Sequence, residues 1–215
     1  MPILVDHEEQ RRKVISVAAT LIASGGVEAA TVRAIAKAAG YSTTIVSHYF
    51  SDKRALLLLT WRYSADRAAE IRNEYGIDAS HRVRTFCVAL LPTTAELRMI
   101  WRTWFAFWNI ALNDAEFAAE QHAQVLVARR AIGATFARDP DFSGRPREWR
   151  EEEAAEMLTL IMGISLQTIL NPGDWPGERQ IKSIDARLRS LREQPLYVGV
   201  RPRARRPVSA PPRTP

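Results

Sequence analysis

The stretch TVRAIAKAAGYSTTIVSHYF, residues 31–50, decides the fold because it encodes two short helices separated by a glycine. Thr31 is a favourable N-cap for a helix over VRAIAKAA, and Gly40 suits the left-handed conformation that commonly ends a helix. Ser42 is a favourable N-cap for a second helix of about two turns. Two short helices joined by such a turn predict a helix-turn-helix.

The second helix separates its polar side chains from its apolar ones. At 100° per residue, four polar side chains fall within an arc of about 140°, opposite Val46. A catalytic pocket needs groups that converge, whereas this face displays them outward. Short hydroxyl side chains allow a helix to enter the major groove, where they donate or accept hydrogen bonds. The face therefore predicts base contacts by Thr43, Thr44, Ser47 and His48.

Positive charge supports this interpretation through its position rather than its total. The formal net charge is +6, but five arginines lie in residues 201–215, which leaves 30 − 5 = 25 bases against 24 acids. Around the predicted helix-turn-helix, bases outnumber acids, and phosphates favour such a surface. The bases of residues 31–54 are Arg33, Lys37, Lys53 and Arg54, opposed by Asp52.

The remaining chain is predicted to be helical, so the fold class is all-α, with an N-terminal three-helix domain and a C-terminal helical domain. Helices are expected near 8–24, 53–74, 79–91, 95–113, 114–137, 148–170 and 177–192. We expect residues 1–52 to bind DNA, 53–74 to form a linker helix and 75–195 to bind a ligand and dimerise. The Pro- and Arg-rich residues 196–215 are expected to form a disordered basic tail.

The segment TVRAIAKAAGYSTTIVSHYFSDKRALL, residues 31–57, resembles the DNA-binding signature of the TetR family of transcriptional regulators. Its S-T-x-I-x-S-H-Y-F run is similar to the BetI-like branch, named after a choline-responsive repressor. The resemblance implies three DNA-binding helices followed by helices that hold an effector and dimerise. It implies DNA contacts by Tyr49, as a phosphate ligand, and by Lys53. The full expected set is Thr31, Arg33, Tyr41, Thr43, Thr44, Ser47, His48, Tyr49 and Lys53.

Two positions depart from the pattern that the resemblance supplies. Thr44 stands where the family often has Gly, and Tyr41 stands where it often has Val. Both lie in the predicted reading segment, so they leave the operator sequence open.

An aromatic stripe on the helix near 95–113 has two interpretations. Trp101, Trp104, Phe105 and Trp108 fall within about 100° of one another, which is typical of a large core or of a pocket wall. As a wall, the indole faces would suit a cation or a flat apolar body. Choline is a candidate by resemblance, and a flat hydrophobic molecule is one by composition. The nearby carboxylates are Glu96, Asp114, Glu116 and Glu120.

The helix near 148–170 is apolar on two faces, which a helix covered on one side does not require. The second face would be buried inside the subunit or against a second copy. We favour a homodimer in which this face contributes the contact, and hence a palindromic operator. Its residues are Leu158, Met162, Leu166 and Ile169.

Several other functions find no support in the sequence. Cys87 has no partner for an internal disulfide, and the four histidines have no metal-ligand spacing. We find no catalytic constellation, cofactor motif, signal peptide or membrane-spanning run, so we expect a cytoplasmic protein. The sequence thus predicts an effector-released repressor. A transcriptional activator of the same architecture, or an all-α interaction module without specific DNA binding, remains an alternative.

Overall fold

The computed structural model describes residues 7–50, 52–78 and 80–195, and within these ranges the chain is all-helical, as predicted. A 3-10 turn, Val27–Ala29, joins the first two helices. The α-helices of the described residues are α1 His7–Gly25, α2 Val32–Ala39, α3 Thr43–Tyr49, α4 Lys53–Glu74, α5 Val83–Val88, α6 Ala95–Ala111, α7 Ala115–Arg138, α8 Arg147–Leu170 and α9 Gly177–Glu193. The predicted tail, 196–215, lies outside the described residues.

Local hydrogen bonds form the turn between α2 and α3. Gly40 adopts φ 74° and ψ 29°, the left-handed conformation that glycine accepts without a Cβ penalty. The next amide, of Tyr41, donates to the carbonyl of Ala36 at 2.9 Å, which closes the end of α2. The hydroxyl of Ser42 then accepts the N–H of Ile45 at 3.2 Å and begins α3. The sequence pattern predicted both ends correctly.

Helix α5 is shorter than the segment 79–91 that the sequence suggested. Before it, the carboxylate of Asp78 accepts the backbone N–H of Ser80 at 2.7 Å, and the N–H of His81 donates to the carbonyl of Asp78 at 3.2 Å. Side-chain bonds of this kind offer the backbone an alternative to the helix. The helix therefore begins at Val83, whose N–H donates to the Asp139 carboxylate at 3.2 Å.

Two large hydrophobic clusters and a small third one, between α4 and α6, fill the interior of the described part of the chain. The first joins α1–α4 and also takes in Phe107 of α6 and Phe117 of α7. The second joins α5–α9, around Phe136, Met157 and Ile161. Because α6 and α7 contribute to both clusters, the N-terminal helices pack directly on the C-terminal ones.

Helix α8 lies in the second cluster with Met157, Ile161 and Ile164 buried. Of the described helices, it alone has the length and apolar composition to cross a bilayer, and 44% of that apolar window is buried inside the protein. Core helices of soluble proteins have the same properties, and the buried side chains of α8 make it part of the core.

Candidate DNA-reading surface and effector cavity

Helix α3 displays its polar face to solvent. Thr43, Thr44, Ser47 and His48 are all exposed. On the opposite side, Val46 is buried within the first cluster, and Phe50 is buried just beyond the helix. Packing of the apolar side thus fixes the orientation of the polar one.

Helix α1 supplies neighbours that the sequence analysis did not identify. The hydroxyl of Tyr49 donates to the side chain of Gln10 at 2.6 Å and lies 3.1 Å from Nδ1 of His7. The ammonium of Lys13 lies 5.0 Å from the ring centroid of Tyr41. These pairs are about 30–40 residues apart in sequence, so no local pattern could have indicated them.

The other predicted DNA-binding residues surround this surface. Arg33 is exposed, and Thr31 is exposed while its hydroxyl accepts the N–H of Ala34 at 3.1 Å as the N-cap of α2. The ammonium of Lys53 donates to the Glu28 carboxylate at 3.1 Å. Both partners are solvent-exposed, and such a pair is easily exchanged for a phosphate contact.

A cavity of about 220 Å³ lies among α4–α8. Trp101, Trp104 and Trp108 line it, and the same three side chains pack in the second cluster, so the stripe is both core and cavity wall. Phe105 is not among its lining residues. Its ring instead packs against those of Trp101 and Trp108, with centroids 5.5 Å and 4.9 Å away.

Helix α4 forms a wall of this cavity that the sequence analysis missed. Trp61, Ala65, Ala68 and Arg72 follow the 3–4 spacing of one helical stripe, and all four line the cavity. The sequence shows the periodicity of these residues, but it does not show that the stripe faces a cavity. Leu158 and Met162 of α8 also line the cavity.

The acidic residues near the Trp stripe are bound to arginines of α4. Glu96 accepts from Arg67 at 2.7 Å, and Glu120 accepts from Arg62 at 2.7 Å. Arg54 binds both Asp114 and Glu116. This guanidinium and the backbone N–H of Phe117 hold the pKa of the Asp114 carboxyl well below its usual range. None of these four acids is among the residues that line the cavity, whereas Asp66 is.

The four residues expected at a dimer contact have different environments. Leu158 is buried within the subunit, and Met162 is half-buried beside the cavity. Ile169 is also half-buried, whereas Leu166 is 39% exposed. Leu170, which the sequence analysis did not select, is 64% exposed. The exposed large apolar side chains of α8 therefore lie at its C-terminal end.

Within the described residues, no three His, Cys, Asp or Glu side chains lie together as a metal site would need. The described structure thus combines an exposed helix-turn-helix with a partly open, mostly apolar cavity. An exposed helix-turn-helix is typical of a DNA-binding protein.

Comparison with known proteins gives the family. Residues 14–59 match the model of bacterial regulatory proteins of the tetR family, and residues 79–193 match that of the BetI-type transcriptional repressor C-terminal domain. The chain belongs to the TetR family of DNA-binding transcriptional regulators, with a C-terminal domain of BetI type. Members of this family bind DNA operators and small-molecule effectors.

Individual relatives agree with this assignment. The chain is 29% identical over 181 residues to the HTH-type transcriptional regulator BetI of Burkholderia ambifaria, covering 80% of this chain and 89% of the relative. It is 25% identical over 175 residues to the HTH-type transcriptional regulator PksA of Bacillus subtilis, covering 80% of this chain and 84% of PksA.

Solved structures share the fold. A transcriptional regulator from a Rhodococcus species has a TM-score of 0.72 at 23% identity, covering 84% of this chain and 94% of its own. A putative regulator from Saccharomonospora viridis, solved in complex with choline, has a TM-score of 0.74 at 21% identity, covering 85% and 96%.

Proposed function

We propose that this regulator is a cytoplasmic homodimeric repressor that binds a palindromic operator and releases it when an effector enters the cavity of α4–α8. In this scheme residues 1–52 bind DNA, the helix 53–74 transmits the signal, and residues 75–195 bind the effector and dimerise. The observation that carries the proposal is the position of Trp61. Its side chain lines the cavity and also belongs to the hydrophobic cluster of the DNA-binding helices.

The polar face of α3 is the proposed reading surface. Thr43, Thr44, Ser47 and His48 contact base edges, while Tyr49 and Lys53 contact phosphates. Thr31, Arg33 and Tyr41 border this surface and are proposed to contact the backbone. Phosphate and backbone contacts set affinity and register, whereas contacts to base edges set sequence preference.

The proposed effector is a small molecule with an apolar body. A volume of about 220 Å³ is below the roughly 300–1,000 Å³ of sites for drug-sized ligands. Trp101, Trp104 and Trp108 supply flat faces, and Phe105 packs against the rings of Trp101 and Trp108. Choline, which the Saccharomonospora viridis regulator holds, is one candidate.

Helix α4 is the proposed route of communication. It begins at Lys53 beside the reading surface and ends beyond Arg72 beside the cavity. Ion pairs fasten it to α6 and α7 along its length. A ligand that favours one position of α4 over another shifts the spacing of the two reading helices in a dimer, and DNA binding opposes that shift by the same free energy.

The proposed dimer contact is the C-terminal part of α8, through Leu166, Ile169 and Leu170, extended by Met162. Leu158 is already covered within the subunit and contributes through the cavity wall. A two-fold contact places two helix-turn-helix units in successive major grooves, which requires a palindromic site. Activation rather than repression would use the same contacts, and the position of the operator relative to the promoter distinguishes the two.

The test is fluorescence anisotropy with promoter fragments of the neighbouring genes, against random DNA, over a series of salt concentrations. We expect salt-dependent binding to one fragment, lost in a folded Tyr49→Ala, Lys53→Ala double variant. Effector candidates are then titrated into the complex, with Trp104→Ala and Trp108→Ala variants alongside. Unchanged operator affinity in the double variant would exclude the proposed DNA contacts, and unchanged effector affinity in the Trp variants would exclude the cavity.

A further inference from the structure

Arg72 differs from the other arginines of α4. Arg54, Arg62 and Arg67 each bind at least one carboxylate of α6 or α7 within 2.7 Å. Among the described residues, no carboxylate lies within ion-pair distance of Arg72. Its one hydrogen bond runs from Nη1 to the carbonyl of Ala68, at 2.9 Å.

This unpaired guanidinium is on the cavity wall. Arg72 shares the inward stripe of α4 with Trp61, Ala65 and Ala68, and its guanidinium carbon lies 5.6 Å from the ring centroid of Phe86, another lining residue. The side chain is half-buried, and this burial lowers its pKa. A partly desolvated cation without a counter-ion is unfavourable, and a ligand carboxylate would remove the cost through charge-assisted hydrogen bonds.

A second lining residue, Trp108, has a donor without any acceptor. The indole N–H of Trp108 is buried and has no hydrogen-bond partner among the described residues. By contrast, the indole N–H of Trp101 donates to the carbonyl of Leu90 at 2.9 Å. Arg72, on the lining, is a donor without a carboxylate partner, and the unpartnered N–H of Trp108 is also a donor, so a complementary ligand offers oxygen acceptors.

The same wall disfavours a cationic ligand. A quaternary ammonium cannot accept either hydrogen bond and would be repelled by Arg72. The one acid on the lining, Asp66, is exposed to solvent and lies six residues before Arg72, roughly 9 Å along the helix axis. The four other nearby acids are already bound to arginines.

We propose that the effector is a small organic carboxylate with a flat apolar body, bound through its carboxylate to Arg72 and through its body to the tryptophan faces. The inference rests on the proposed function, because it assigns the chemistry of the same cavity. It separates this regulator from a choline sensor by the charge of the ligand.

Isothermal titration calorimetry on the full chain tests this, with phenylacetate, 3-phenylpropionate and indole-3-acetate, each beside its uncharged amide, and with choline. We expect at least one acid to bind about 10- to 100-fold more tightly than its amide. Arg72→Met should remove that preference, and Arg72→Lys should keep part of it. Arg147→Met, at an exposed position outside the lining, should leave it unchanged.

The preference between acid and amide separates a ligand contact from a structural role, since a structural Arg72 would weaken both compounds equally. Circular dichroism checks that Arg72→Met is folded. If it is not, the acid preference is measured on Arg72→Lys instead. The inference is overturned if no acid binds at millimolar concentration, if amides bind equally, if Arg72→Met keeps the preference, or if choline is preferred. Choline binding that releases the operator would overturn this inference alone. A chain that binds no operator, yet prefers acids, would overturn the proposed function alone.

Discussion

The ring centroids of Trp61 and Phe107 lie 4.9 Å apart at an interplanar angle of 51°. Both side chains are buried, and Phe107 also stacks on Phe117 at 5.9 Å. Trp61 lines the cavity, whereas Phe107 packs with the core of α1–α4. This aromatic contact therefore joins the cavity wall directly to the core that supports α1–α4. We expect effector binding and operator binding to be coupled through it.

Replacing Phe107 by Leu should weaken that coupling. The variant keeps an apolar side chain but loses the ring contact, and aromatic pairs contribute about 0.5–1.5 kcal/mol beyond burial. We expect effector affinity of the free protein to change little, while the effector-induced loss of operator affinity shrinks by about 1 kcal/mol. Anisotropy titrations with and without effector measure this. Met99→Leu, at an exposed position of α6, is the control, and equal coupling in both variants would contradict the expectation.

The exposed face of α3 should set sequence preference. Thr44→Ala or His48→Ala should cost about 1–3 kcal/mol at the base pair that each side chain contacts, and little at other positions. Affinity for a set of operators with single base-pair changes measures the preference. Thr159→Ala, exposed on α8, serves as the control. A uniform loss across all operators would show that these side chains contact only the backbone.

Lys53 and Glu28 should have opposite effects on DNA affinity. Lys53→Ala removes a phosphate contact, so binding to every sequence weakens and the slope of log affinity against log salt falls by about 1. Glu28→Gln releases Lys53 from its ion pair at 3.1 Å, so affinity should rise modestly. This gain in affinity from Glu28→Gln should disappear in a variant that also carries Lys53→Ala. An additive double variant would mean that Glu28 acts independently of Lys53.

The exposed end of α8 should hold the dimer together. Leu166→Glu combined with Leu170→Glu places two like charges per subunit at the proposed contact, so we expect monomers and the loss of operator binding. Light scattering coupled to size exclusion gives the mass. Val127→Glu, at an exposed position of α7, controls for added charge. A folded double variant that keeps the dimer mass would place the interface elsewhere.

Cys87 should make the fold less stable in alkali. Burial raises the pKa of its thiol to about 12, whereas an unfolded thiol ionises near 8.5. The unfolded chain therefore releases a proton that the folded chain retains, and stability falls as pH rises from about 8.5 towards the folded value. Between pH 8 and 10 this amounts to about 1–2 kcal/mol, which denaturant unfolding detects. The unfolding free energy of Cys87→Ala should fall less between pH 8 and 10. An equal fall in both proteins would contradict the assignment to this thiol.

Local chemistry made much of the fold predictable from the sequence. The N-caps at Thr31 and Ser42, and the left-handed Gly40 between them, act within a few residues, so the pattern predicted the helix-turn-helix and the outward face of α3 correctly. The same locality explains the error at α5. There the side-chain bonds of Asp78 compete with the helix, and helical periodicity does not record such competition.

The tertiary structure decided which helical faces meet. The Trp stripe of α6 allowed both a core and a pocket wall, and it serves as both because α4, through Trp61 and Arg72, lines the cavity with it. Their positions in sequence offered the acids near the stripe as partners for a cation, but in the structure arginines of α4 bind them. Contacts between residues tens of positions apart depend on how helices pack, and packing is set by the complementarity of whole surfaces rather than by spacing along one chain.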